Sequence, residues 1–241
     1  TALSPSSDFI FRSGGEVYSF VIDGVALREQ PIQAVRLGRG AAAPHMVGTN
    51  ANEIALFRAA YLTQVQTVSG YQNFVERFDN DANSTLDEPS TSLLSLYPAV
   101  ADAEALAAFE RLYTDYIFVC PARRTAFALA AAGRPAFLYQ FTRVAPGFTT
   151  LGAFHFVEVP YLFGPLPPPT YAAADLAVSD AMRAYWAAFA AQGAPLAAGQ
   201  PTWPPYGPSD EHLVLDWPIS SSANLRKATC DSLDTLLPPP I

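Results

Sequence analysis

This chain is poor in charge, histidine and cysteine, and it has no long hydrophobic run. Only 15% of its 241 residues are charged, and its 14 Lys and Arg residues are outnumbered by 22 Asp and Glu residues. The net charge of −8 argues against a nucleic acid partner, because binding to phosphates requires clustered Lys and Arg. No apolar stretch reaches the roughly 18 residues of a membrane-spanning helix, so we expect no membrane span.

The two cysteines, Cys120 and Cys230, lie far apart in the sequence. Without a Cys-x-x-Cys motif, and with only three histidines, the chain is not expected to hold a structural zinc ion. A pair this distant is either two unrelated buried thiols or a disulfide that closes a long loop. Composition alone leaves both possibilities open.

Half of the residues are hydrophobic, which is enough to bury a substantial core. Short apolar runs bounded by Gly, Pro and Asn predict buried strands, and apolar residues at three- and four-residue spacing predict helices. Strands that alternate with helices predict an α/β fold with a mostly parallel sheet and helices on both faces. The predicted strands cover residues 44–50, 135–141 and 212–216, and the predicted helices begin at Asp102 and cover residues 121–133 and 179–193.

The last of these helices carries the clearest signal. Ser179 is predicted to cap it and Gly193 to end it. Met182, Trp186 and Phe189 recur on one face, which predicts that this face packs on the core. Away from the helices, the polar segment 79–90 contains Asn83-Ser84-Thr85, a glycosylation acceptor in form that matters only in a secreted eukaryotic protein.

One histidine, His155, lies among aromatic and branched residues in the segment GAFHFVEVPYLFG at residues 152–164. Taken alone, such a residue is more often a core histidine satisfied by the backbone than a general base. His45, within a predicted strand, and His212, at the start of another, are interpreted as structural or exposed. A catalytic interpretation of His155 therefore needs support from the rest of the chain.

Four further blocks stand in a fixed order around this segment, and each alone is a weak signal. They are FVIDGVALREQP (20–31), VGTNANEIALF (47–57), FVCPARR (118–124) and SDAMRAYWAAFAAQGAP (179–195) followed by WPPY (203–206). Together the five blocks resemble the C-terminal half of the type-B carboxylesterases, the cholinesterase-like branch of the α/β-hydrolase fold. The resemblance implies that residues 1–241 form the C-terminal part of one carboxylesterase-like domain.

The resemblance assigns a role to two residues. That family uses a triad in the chain order Ser, Glu or Asp, His. The motif match makes Glu53 the orienting acid and His155 the general base, a neutral imidazole whose tautomer the carboxylate fixes. Without the blocks, Glu53 would be interpreted as a solvated loop acid, which is the commoner fate of a single Glu.

The sequence also departs from the family pattern next to both residues. Asn52 and Ile54 replace the usual Asp and Gly on either side of the acid, and Phe156 replaces the Gly that follows the histidine. A bulky Phe156 is expected to narrow the acyl pocket or to strain a turn that favours Gly. Glu158 is expected to make a structural hydrogen bond, with a supporting role near the site as the alternative. Phe154 is a further pocket candidate, although ordinary core packing is the more usual explanation for the aromatic residues here.

The nucleophile itself is missing, because no Gly-x-Ser-x-Gly motif occurs in the 241 residues. In the family, the serine, the oxyanion hole and the central strands belong to the N-terminal half. The remaining strands alone would expose apolar edges and faces to water. We therefore expect a companion N-terminal fragment or chain of the same esterase, giving a heterodimer or a nicked monomer. The start of the sequence, which has no signal-peptide pattern, indicates either a cytosolic protein or an N-terminus made by processing.

The resemblance also bears on the cysteines, since Cys120 and Cys230 fall where secreted family members carry a disulfide. It therefore implies a Cys120–Cys230 bond and a secreted or periplasmic protein. The function implied is hydrolysis of a carboxylic ester through an acyl-enzyme, with no metal or organic cofactor. The alternatives are a catalytically inactive binding or adhesion protein of the same fold and a small α/β binding domain that folds by itself.

Overall fold

A computed structural model describes residues 12–13, 16–17, 22–39, 42–82, 91–168 and 170–237. The Asn83-Ser84-Thr85 acceptor lies outside these residues. Two two-residue strands, β1 (Arg12–Ser13) and β2 (Glu16–Val17), pair antiparallel at the start. They are followed by the short helix α1 (Pro31–Arg36), which begins at a proline, as first helical turns often do.

Within the described residues, the main sheet has four strands, which lie in chain order. They are β3 (His45–Asn50), β4 (Ala136–Phe141), β5 (Glu211–Leu215) and β6 (Ser220–Ala223). The first three run parallel, as predicted, and β6 pairs antiparallel with β5. Strand β6 was not predicted, because its residues, SSSA, lack an apolar pattern, and all four are exposed.

Alternating side chains along β4 join the two halves of the core. Leu138 packs into one apolar cluster, whereas Phe137 and Phe141 pack into the other on the opposite face. Both faces of this strand are therefore covered, as in a parallel sheet between helical layers. Gly48 on β3 lies opposite Tyr139 on β4, and a Cβ at Gly48 would lie 2.2 Å from the tyrosine ring. The ring thus occupies the space that a side chain on Gly48 would need.

The helices divide between the two faces. On the Leu138 side, the acid-bearing 3₁₀ helix (Glu53–Phe57) is followed by α2 (Arg58–Val65), α3 (Val68–Ala82) and α4 (Thr91–Leu96). The same side holds α5 (Asp102–Thr114), a π-helix (Asp115–Val119) and α6 (Cys120–Ala131), with α9 (Lys227–Leu236) at the end. On the other side lie α7 (Val159–Phe163) and α8 (Ala173–Gln192). Among the described residues, no helix is both long and apolar enough to cross a membrane.

Two links, one at each end, connect the π-helix region to α9 and to Arg226, the residue before α9. Cys120, which directly follows the π-helix, forms a disulfide with Cys230 on α9. At the other end, the carboxylate of Asp115 accepts hydrogen bonds from the Arg226 guanidinium and from the Tyr97 hydroxyl. The chain passes from α5 to α6 without a break, so these links hold the one irregular turn in that rod.

The start of α8 corrects one prediction. The helix begins at Ala173, six residues before the predicted cap Ser179. Asp175 does the capping instead, since its carboxylate accepts the N–H of Ala172 at 2.9 Å. Ser179 is buried inside the helix, where its hydroxyl donates to the carbonyl of Tyr161 at 2.5 Å. Gly193 ends the helix with φ of 75°, as expected for a left-handed C-cap.

Candidate active site

Glu53 lies just past the carboxyl end of β3, at the start of the 3₁₀ helix. Its side chain is only 6% exposed. The backbone N–H of Asn50, the last residue of β3, donates to its Oε1 at 2.7 Å. A buried carboxylate needs such a partner, because burial without a hydrogen bond is costly. The end of β3 thus fixes Oε1, and Oε2 remains available to accept a hydrogen bond from another residue.

His155 meets that second oxygen. Its Nδ1 lies 2.7 Å from Oε2 of Glu53, and its backbone N–H donates to the carbonyl of Glu53 at 3.2 Å. The two residues are therefore joined through both side chain and backbone. The imidazole is 41% exposed, and Nε2 makes no hydrogen bond with the part of the chain that the structure describes. A held Nδ1 beside an open Nε2 is the arrangement that a general base requires.

The electrostatics of the pair favour the charged imidazole. The hydrogen bond with Glu53 raises the pKa of His155 above its ordinary value of 6.5, although partial burial opposes the change. The charges of Glu53 and Glu158 add to the increase. The site therefore stabilises an imidazolium, the form that the ring takes while it holds a proton from a nucleophile.

Asn52 fixes the loop that carries the histidine. Its side-chain Oδ1 accepts the N–H of Ala153 at 3.0 Å, and its own N–H donates to the carbonyl of Ala153 at 2.9 Å. Gly152 has φ of 65°, and a Cβ there would lie 2.2 Å from Oδ1 of Asn52. The loop thus needs a glycine at this position both for its backbone conformation and for space.

Asn50 makes a second connection to the same loop. Its side-chain amide donates to the carbonyl of Phe154 at 2.9 Å and to the carboxylate of Glu158. Glu158 therefore takes part in a hydrogen bond that supports the loop, in addition to its charge effect on His155. The end of β3 holds the acid through its backbone and the histidine loop through its side chain.

Two aromatic rings flank the imidazole. The ring centroid of Phe57, at the end of the 3₁₀ helix, lies 5.8 Å from that of His155, at an interplanar angle of 38°. The ring centroid of Phe118, on the π-helix, lies 5.3 Å away at 47°. Both rings belong to elements that other contacts already fix. The imidazole is therefore bounded by a carboxylate at Nδ1 and by two apolar rings.

The aromatic residues of the histidine segment take different positions. Tyr161 is fully buried against Phe141, and Phe154 contacts Phe148 at a centroid distance of 5.0 Å. Phe163 and Phe156 are 78% and 62% exposed. Phe156 also has φ of 75°, a left-handed conformation that a bulky side chain rarely adopts. The strain expected at the position where the family has Gly is thus present in the backbone.

The remaining histidines lie away from this pair. His212 is buried on β5, where burial lowers its pKa, and His45 lies at the start of β3. Ile54, where the family pattern has Gly, is fully buried, and its N–H lies 3.4 Å from Oγ1 of Thr114. No group of three or more His, Cys, Asp or Glu suited to a metal ion occurs within the described ranges.

A sequence model of the carboxylesterase family matches residues 12–232. The chain belongs to this family. It is 28% identical over 216 residues to fumonisin B1 esterase from Sphingopyxis macrogoltabida, covering 85% of the chain and 38% of that relative. It is also 28% identical over 222 residues to carboxylesterase 4A from Bos taurus, covering 86% and 40%.

Solved structures agree on the fold of this carboxylesterase family member. The carboxylesterase EST55 from Geobacillus stearothermophilus superposes with a TM-score of 0.74 at 25% identity, covering 91% of this chain and 46% of that one. EstA from Aspergillus niger gives 0.72 at 20% identity, covering 92% and 46%. The chain therefore has an α/β-hydrolase fold, and the family and the fold that the sequence predicted are both confirmed. The chain spans less than half the length of these relatives.

Sequence reasoning missed the residues that hold the pair. Asn50 and Asn52 both precede the predicted acid, and the motif match assigns neither of them a role in holding the pair. Two polar residues at the carboxyl end of a buried strand are a usable signal, since loops there build sites in α/β folds. Phe57 and Phe118 carried no such signal, because apolar residues in helices are ordinarily core.

Proposed function

We propose that the protein hydrolyses carboxylic esters as a serine esterase, with His155 as general base and Glu53 as its orienting acid. The 2.7 Å contact between His155 Nδ1 and Glu53 Oε2 carries this proposal, because it joins a buried, anchored carboxylate to a half-exposed imidazole. Membership of the carboxylesterase family supports the same reaction class.

In this mechanism His155 Nε2 accepts the proton of a serine hydroxyl as that oxygen attacks the ester carbonyl. Glu53 stabilises the resulting imidazolium and remains ionised. The imidazolium then gives its proton to the departing alcohol, which leaves an acyl-enzyme. In the second half, His155 takes a proton from water as water attacks the acyl group, and then gives that proton to the serine oxygen as it departs, which releases the carboxylic acid and restores the serine hydroxyl and the neutral imidazole.

We assign the serine and the oxyanion hole to residues outside these 241, since the sequence contains no Gly-x-Ser-x-Gly motif. The proposed partner is an N-terminal segment or chain of the same esterase. The matched relatives support this assignment, because the chain spans only 38% and 40% of the two curated ones. The disulfide between Cys120 and Cys230 supports a secreted or periplasmic location for the assembled protein.

Labelling with a fluorophosphonate, followed by intact mass spectrometry, tests the proposal. We expect one labelled serine in the full-length protein, and loss of labelling when His155 is changed to Ala. A matched control is His212→Ala, which changes a buried histidine remote from Glu53. Labelling that persists in His155→Ala at the wild-type rate would contradict the assigned base.

Phe156 favours one alternative, a catalytically silent binding protein of the same fold. An exposed phenyl group directly after the base, on strained backbone, suits a contact surface as well as a substrate pocket. A correctly folded full-length protein that takes up no fluorophosphonate would favour this alternative.

A further inference from the structure

We propose that Phe118 is a positioning residue for the base: together with Phe57 it confines the His155 imidazole so that Nδ1 stays on Glu53 and Nε2 stays free. This inference rests on the proposed function, because it concerns the same histidine. It adds a residue that lies 37 positions before the histidine in the sequence and contacts its ring.

The hydrogen bond to Glu53 alone does not fix the orientation of the imidazole. It holds one ring atom, Nδ1, but does not prevent the ring from rotating about that contact. The ring centroids of Phe118 and Phe57 lie 5.3 Å and 5.8 Å from that of His155. Both distances fall within the range of aromatic pair contacts. The two rings therefore restrict the imidazole laterally, and they also keep apolar surface beside the hydrogen bond, where water would compete for Nδ1.

The backbone segment that carries Phe118 is held at both ends, which restricts the position of the Phe118 ring. Phe118 belongs to the π-helix, and π-helical turns inside α-helices are frequent at functional sites. Asp115 at one end of this turn is bound by Arg226, and Cys120 beyond the other end is bonded to Cys230. One link to α9 and one to the residue just before it thus brace a segment of five residues.

The acid is tied to the same segment. The N–H of Ile54, which follows Glu53, lies 3.4 Å from Oγ1 of Thr114, the residue before the π-helix. Phe57, the second flanking ring, ends the 3₁₀ helix that Glu53 begins. Acid and flanking rings are therefore parts of one connected unit, and the histidine loop docks onto it.

The test uses Phe118→Ala in the full-length protein. Nitrogen-15 NMR of labelled histidines reports which ring nitrogen carries the proton, and His155→Ala assigns the signal. We expect the neutral wild-type ring to be protonated at Nδ1, whereas the variant populates both tautomers. We also expect kcat to fall by about tenfold to a hundredfold, with KM nearly unchanged, as for a small misplacement of a catalytic group. Phe118→Leu, which keeps most of the bulk, should restore both properties.

The matched control is Phe189→Ala on α8, which removes a ring that is also half-buried but contacts Phe137 in the opposite layer. It should lower stability without changing the His155 tautomer. Should Phe118→Ala fail to unfold cooperatively, Phe118→Val takes its place with the same readout. A wild-type tautomer in the truncated variant would overturn the inference. The tautomer is measured without substrate. A lack of esterase activity would therefore refute the proposed function, while the NMR result would still show whether Phe118 positions the imidazole.

Discussion

The Nδ1 atom of His155 lies 2.7 Å from Oε2 of Glu53, across 102 residues of sequence. The contact depends on the end of β3. There, the backbone of Asn50 holds the carboxylate, while the side chains of Asn50 and Asn52 hold the loop that brings the imidazole. The hydrogen bond between Glu53 and His155 therefore depends on the backbone and side chains that position both residues, as well as on the two residues themselves.

Glu53→Gln should lower kcat/KM by about 10³- to 10⁴-fold, because an amide no longer fixes the tautomer or stabilises the imidazolium. It should also move the acid limb of the pH profile. The base must be neutral to act, so activity is lost as the pH falls through its pKa, which Glu53 raises above 6.5. We therefore expect the wild-type limb above pH 6.5 and the variant's limb at lower pH.

The measurement is kcat/KM for a soluble ester between about pH 5 and 9. Glu110→Gln is the control, since Glu110 is a partly buried acid that binds Arg58 and has no contact with His155. It should leave the position of the limb unchanged. An identical limb in wild type and Glu53→Gln would show that another group sets the pKa of the base.

Gly152→Ala should destabilise the protein and lower its activity together. The substitution strains a backbone with φ of 65° and places a Cβ 2.2 Å from Oδ1 of Asn52, which displaces the histidine loop. Gly133→Ala is a matched control, because its φ is 71° with nothing within 4 Å of the added Cβ. The control should cost about 1 kcal/mol from the left-handed backbone alone, and Gly152→Ala more.

Urea unfolding of both variants checks this difference. Asn52→Ala removes the clashing side chain, so the double variant Asn52→Ala/Gly152→Ala should lose less stability than the sum of the two single changes. Equal losses in Gly152→Ala and Gly133→Ala would mean that the contact with Asn52 does not constrain the loop.

The sequence predicts the strands and helices that have a regular apolar pattern, but it does not predict features that depend on individual hydrogen bonds. The strands at 44–50 and 135–141 are predictable from sequence because buried parallel strands are continuous apolar runs. The predicted start of α8 at Ser179 is wrong, because a buried serine that bonds to Tyr161 cannot be told from a helix cap by sequence alone. The order of motif blocks predicts Glu53 and His155 as acid and base, whereas the loop geometry depends on Asn50 and Asn52, whose contacts with the histidine loop span more than 100 residues of sequence.

Loss of the disulfide should destabilise the protein by about 2–5 kcal/mol, measured as the shift in urea unfolding of Cys120→Ala/Cys230→Ala. The bond joins residues 110 positions apart, so it restricts a long loop in the unfolded chain, and it also anchors the π-helix to α9. The double substitution avoids a free buried thiol in either position. An unfolding midpoint that does not change in the variant, or in wild type with a reducing agent, would contradict the expected contribution.

Phe156→Gly should raise stability and widen the range of esters accepted. Its φ of 75° is a conformation that glycine adopts without strain, so relief of about 1 kcal/mol is expected in the free energy of unfolding. Its side chain is 62% exposed, so the change removes less apolar burial than the loss of a core phenylalanine would. Phe163→Gly is the control: it removes another exposed phenyl group from backbone without positive φ, and it should destabilise. We expect kcat/KM of Phe156→Gly to increase most for esters with bulky acyl or alcohol groups. A variant that is less stable than wild type and unchanged in substrate range would show that Phe156 packs against another part of the protein instead of facing substrate.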